Sequence, residues 1–193
     1  MGSRRVSGGW ILLFLALSLL ILPFQWVFAA ILAASFHELC HFGAIRLVGG
    51  SVRRIHVGVR GAQMDVCGLS IGKELFCALA GPMGGLLLLF AARWLPRTAV
   101  CAGFQSLFNL LPIYPLDGGR AMRCGAKLLL PLPLADKVCG LIEWICLTGV
   151  ILLGAYGSFV LRLGLVPLLL ALSMSMRVLP VKIPCKRGLY SVQ

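Results

Sequence analysis

Two histidines and a glutamate stand inside one of the most apolar stretches of this chain: His37-Glu38-Leu39-Cys40-His41, within SFHELCHFGAIRLVGG. On a helix the i, i+4 spacing puts both imidazoles on one face, where they can share one ion. Glu38, beside the first of them, is placed to take a proton from water held there, which makes the HExxH pattern one of metal-assisted hydrolysis. Counted inward from Arg46, the charge that closes the apolar run, His37 lies about 13 Å deep at 1.5 Å per residue, in a hydrocarbon layer of about 30 Å. Ionisable groups at that depth cost several kcal/mol unless paired or coordinated, so they imply function. The plainer alternative is that the histidines hydrogen-bond to neighbouring helices.

A catalytic zinc takes three protein ligands and keeps one open position, so a third ligand is needed. His56, Asp65, Glu74 and Asp136 fall in loops or at span edges and read as solvated residues. Glu143 lies shallow in an apolar run, within reach of Lys137 or Arg123, and reads as a structural ion-pair partner. Asp117 is the preferred candidate. It belongs to FNLLPIYPLDGGR, residues 108–120, where Pro112 and Pro115 break a helix, Gly118-Gly119 frees the backbone, and the depth matches that of His37. Broken helix inside a membrane is tolerated where it lines a cavity; a plain turn carrying an aspartate is the other reading.

The elements that must position these residues are apolar spans. Of the 193 residues, 60% are hydrophobic and only 12% charged, and candidate spans run at about 8–22, 26–47, 75–93, 98–113, 138–156 and 158–176. The first and fourth are short. The expected fold is an all-α polytopic membrane protein of about six transmembrane helices, one membrane-embedded domain over 1–193 with no appended soluble domain, because the polar segments are too short to bury a core of their own. Six spans leave only Arg93, Arg97 and Arg162 of the 18 basic residues on the far side. By the positive-inside rule both termini are then cytoplasmic, with the site towards that side. Fusing the first two spans at Pro23 would weaken this asymmetry, and a cleaved signal peptide fits less well because hydrophobicity resumes directly after Pro23.

The net charge of +12 reads as loop residues meeting anionic lipid, with no nucleic-acid motif. Eight cysteines without a CxxC pair read as small buried residues. Between the second and third spans, Ile55, Val57 and Val59 alternate, then Ala62, Met64 and Val66 after Arg60-Gly61, which predicts a short β-hairpin. A two-stranded ribbon is marginal alone, so it should lean on the bundle or receive another strand.

HELCH at 37–41, AGP at 80–82 and NLLPIYPLDGG at 109–119, in that order, resemble the site-2 protease family of intramembrane zinc metalloproteases. The six-span layout most resembles the branch containing the stage IV sporulation protease of endospore-forming bacteria. The resemblance implies a zinc metalloendopeptidase of the bacterial cytoplasmic membrane, with His37, His41 and Asp117 as zinc ligands, Glu38 as catalytic base and Asn109 near the substrate or developing oxyanion. It also implies a hairpin that presents an extended substrate strand, and as partner a membrane-associated protein such as a tethered transcription regulator or a pro-sigma factor. One departure is that many relatives carry an asparagine shortly after AGP, where this chain reads Met83-Gly84-Gly85; Gly81 and Gly85 are read here as a close-packing pair. The rival readings are a metal-binding transporter, which would need polar residues across the whole membrane, and an inactive scaffold.

Overall fold

Large apolar side chains point outward and small or polar ones inward, the reverse of a water-soluble helix. In α1 (Phe24–Leu47) the buried stripe is Ala29, Ala33, His37, His41 and Ile45, while Phe24, Phe28, Ile31, Leu39 and Leu47 are exposed. The alanines let neighbouring helices approach closely. The computed structural model describes residues 23–58, 61–67, 69–162, 164–165, 167–169, 171–172 and 190–192. They fall into two compact units, residues 1–109 with 188–193, and residues 110–187.

In the first unit α1 packs against α2 (Ile71–Leu87) and α3 (Pro96–Asn109), which also pack on each other. A 3-10 turn, Leu88–Ala91, prolongs α2. The helix α1 stops at Gly49, whose φ of +77° suits a residue without Cβ. The amide of Gly50 then returns to the Ile45 carbonyl at 2.8 Å, and Lys73 Nζ donates to the Val48 carbonyl at 2.8 Å. Immediately beyond, β1 (Ser51–Gly58) and β2 (Gly61–Cys67) pair antiparallel, from Ser51 opposite Cys67 to Gly58 opposite Gly61. A third strand, β3 (Tyr190–Val192), pairs with the other edge of β2, giving the order β1-β2-β3. The ribbon thus receives a strand from its own chain.

In the second unit α4 (Asp117–Leu129) packs on α5 (Leu132–Phe159). Arg123 and Glu143 join them through two hydrogen bonds, Nε to Oε1 at 2.8 Å and Nη2 to Oε2 at 2.7 Å. The ring of Tyr114 lies 5.1 Å beneath the same guanidinium. Hydrogen bonding to Glu143, the larger effect, pushes the Arg123 pKa up against the opposing pull of burial. Glu143 is therefore the ion-pair partner expected of it, and Arg123 rather than Lys137 is its mate.

Among the described residues, three helices are long and apolar enough to cross a membrane: Phe24–Leu47, Ile71–Ala91 and Leu132–Phe159. The candidate span at 98–113 is a shorter helix, because α3 ends at Asn109 where the chain turns before Pro112. The candidate at 8–22 lies outside the described residues, as does part of that at 158–176. Among the described residues Cys77, Cys124 and Cys139 are buried, as read from the sequence, whereas Cys40, Cys101 and Cys146 are only half-buried; none of the six is in a disulfide.

Candidate metal centre

His41 is fully buried, and its orientation is set by α2. Its Nδ1 lies 2.7 Å from the Cys77 carbonyl oxygen. A carbonyl only accepts, so Nδ1 carries a proton, and in the neutral ring Nε2 then presents a lone pair. That nitrogen is 3.2 Å from Nε2 of His37, one helical turn earlier, and the two rings meet edge-on with centroids 4.8 Å apart. At the end of α3, Asn109 Nδ2 lies 3.2 Å from the same His37 nitrogen, to which it donates.

Two ring nitrogens with lone pairs facing each other repel unless a proton or cation lies between them. The spacing fits a metal. Two nitrogens bound at 2.0–2.1 Å to one tetrahedral ion stand about 3.3 Å apart, close to the 3.2 Å observed.

Glycine makes room for this ring. A Cβ at Gly81 would overlap Nε2 of His41 and sit 2.6 Å from Cε1 and 2.7 Å from Cδ2. One turn on, Gly84 faces the Cys40 sulfur, and Gly85 faces the Ser106 hydroxyl of α3. Gly81 and Gly85 do serve close packing, as their spacing suggests, but Gly81 packs on the imidazole itself. Cys40 lies against Gly84, outside the metal-binding group. The parts that sequence reasoning missed are the Cys77 carbonyl and this use of Gly81. The small-residue stripe Cys77, Ala78, Gly81, Gly84 and Gly85 was the available signal.

In the second unit Asp117 opens α4, 4% exposed, at the helix end that favours a negative charge. The two glycines after it differ from expectation. Both lie in regular helix rather than at positive φ. A Cβ on Gly118 would overlap the backbone of Leu110 and Leu111, and one on Gly119 that of Ile113 and Tyr114. Gly118-Gly119 thus lets the turn at 110–116, which contains a cis Tyr114-Pro115 bond, fold back directly onto the first turn of α4.

Among the described residues, His37, His41 and Asp117 form a buried group that can bind a metal ion. Glu38 is half-buried beside His37. Glu143 is taken up by Arg123, Asp136 is exposed, and Glu74 sits in the first turn of α2. His56 and Asp65 belong to β1 and β2.

Among solved structures the chain is similar to a site-2 protease from Methanocaldococcus jannaschii, with a TM-score of 0.56 and 20% identity over 86% of this chain and 82% of that one. The two share a fold. No protein-family model matches the sequence, and no curated protein matches it.

Proposed function

We propose that this chain is an intramembrane zinc metalloprotease of the site-2 type, hydrolysing a peptide bond in or near a transmembrane segment of a membrane-associated protein. The observation that carries the reading is the buried His37, His41 and Asp117 group, with its two histidines on an apolar helix of membrane length. In this reading six spans set both termini in the cytoplasm of a bacterial cell, and the substrate is a tethered regulator or a pro-sigma factor.

His37, His41 and Asp117 hold the ion. Zinc so held supplies a Lewis acid that lowers the pKa of water and polarises the scissile carbonyl. Glu38 takes a proton from the attacking water and returns it to the leaving amine, so the products are a carboxylate and an amine. Asn109 donates to the carbonyl oxygen as negative charge builds there: once the His37 lone pair is committed to an ion, its N–H is released for that task. Cys77, through its carbonyl, and Gly81 hold His41 in the tautomer and tilt that ligation needs.

A helical substrate must unwind before it is cut, and pairing as a strand satisfies the freed backbone groups. One edge of β2 is taken by β1 and the other by β3. Among the described residues nothing pairs with the outer edge of β1. That edge is the proposed seat of the substrate.

The test is Glu38→Gln in purified protein, with zinc content and peptide cleavage measured together. The expected outcome is unchanged zinc and a loss of cleavage of at least about 100-fold. Undiminished cleavage removes the role given to Glu38.

A further inference from the structure

The first turns of α1 and the corner leading into α3 enclose an open groove of about 320 Å³. Phe24, Phe28 and Leu32 form one wall and Trp94 the other, with the rings of Phe24 and Phe28 stacked at 6.2 Å. His37 is nine residues beyond Phe28, about 14 Å along the helix, so the groove is separate from the metal centre.

Three observations bear on what fills it. Two of the membrane-length segments, Phe24–Leu47 and Ile71–Ala91, have ends here, so the groove lies where hydrocarbon gives way to headgroups. Charge is the second: Arg97 lines the groove, and no Asp or Glu occurs between residues 75 and 116 or between 23 and 37. Third, α3 begins at Pro96, so the amides of Arg97 and Thr98 fall in a first turn, where a helix has no carbonyl to offer them. Thr98 itself lines the groove and is 5% exposed.

An apolar wall that ends in a cation and a helix N-terminus lined by a threonine asks for an amphiphile with an anionic head. We infer that the groove is a binding site for an anionic phospholipid, with an acyl chain along Phe24, Phe28 and Trp94 and the phosphate at Arg97 and Thr98. The bound lipid joins the starts of α1 and α3, the helices that carry His37 and Asn109. The inference rests on the membrane reading of the chain and is independent of proteolysis.

The experiment is native mass spectrometry of the purified chain after incubation with phosphatidylglycerol or phosphatidylcholine of equal acyl length. The wild type is expected to retain about fivefold more phosphatidylglycerol, the factor that ~1 kcal/mol from one basic side chain near anionic lipid provides. Arg97→Gln should abolish that preference. Leu32→Trp, which fills the groove from a position 39% exposed, should lower retention of both lipids. Arg93→Gln, the charge-matched control outside the groove lining, should behave as the wild type. Equal retention of the two lipids by the wild type overturns the inference, as does unchanged retention in both Arg97→Gln and Leu32→Trp. Because Arg97 and Leu32 lie outside the buried core, loss of fold is not the expected result of either change.

Discussion

Replacing Gly81 by alanine adds one methyl group where the His41 ring now lies. Carbon atoms in contact settle near 3.5 Å, whereas the new Cβ would stand 2.6 Å from Cε1 and 2.7 Å from Cδ2. Something must give by about 0.9 Å, and the ring, fully buried, has no outward path. If α2 withdraws by that amount, the bond from Nδ1 to the Cys77 carbonyl stretches from 2.7 Å to about 3.6 Å and ceases to be a hydrogen bond. If the ring tilts instead, Nε2 leaves its 3.2 Å register with His37. Losing such a partner typically lowers metal affinity 10- to 100-fold, and overpacking destabilises by about 1–3 kcal/mol. Chelator competition with zinc on the purified protein reads the first quantity and thermal unfolding the second. Gly43→Ala and Gly72→Ala, whose Cβ positions have nothing within 4 Å, serve as controls that keep wild-type zinc affinity. A Gly81→Ala protein that unfolds earlier yet binds zinc as tightly as the wild type would refute the positioning argument and leave Gly81 a packing residue only.

Other outcomes follow from the same geometry. Asp117→Asn should lower zinc affinity by at least about tenfold in the same competition assay, because a neutral amide replaces an anionic ligand. Arg123→Ala strands the buried Glu143 carboxylate, 6% exposed, and should lower stability by about 3 kcal/mol in thermal unfolding, while the double change Arg123→Met with Glu143→Leu should recover most of that loss. Gly118→Ala meets backbone rather than a side chain and should destabilise by more than Gly81→Ala in the same measurement. Ser106→Ala removes a fully buried hydroxyl with no partner among the described residues and should raise stability by about 1 kcal/mol; a fall would show that the hydroxyl is satisfied in the folded protein.

The grouping of His37, His41 and Asp117 was legible because its logic is local. HExxH puts two histidines on one face through helix periodicity alone, and charged residues in an apolar run draw attention to Asp117 and Glu143. The pairing of Glu143 with Arg123 was within reach for the same reason, as both are expensive alone in an apolar setting. What escaped were features that need a second backbone in place. The Cys77 carbonyl is a main-chain group, and no residue type advertises which carbonyl will face His41. Gly118 and Gly119 looked like hinge residues, since sequence cannot tell a glycine kept for its dihedral freedom from one kept because another chain segment touches its Cα. The end of α3 was misplaced by four residues because Leu110 and Leu111 are as apolar as the helix before them, while Pro112 acts on the residues that precede it.

Two helices of the first unit also act as rulers. His37 lies thirteen residues beyond Phe24 and Asn109 thirteen beyond Pro96, so each arrives about 20 Å from its own helix start, and the hydrogen bond between them records the match. If Phe24 and Pro96 stand at one hydrocarbon boundary, a layer of about 30 Å leaves roughly 10 Å between these side chains and the opposite face. On the proposed function, that distance is the path water would take to Glu38. Longer acyl chains would lengthen it while the rulers stay fixed, so peptide cleavage is expected to slow as acyl length rises with no change in the protein.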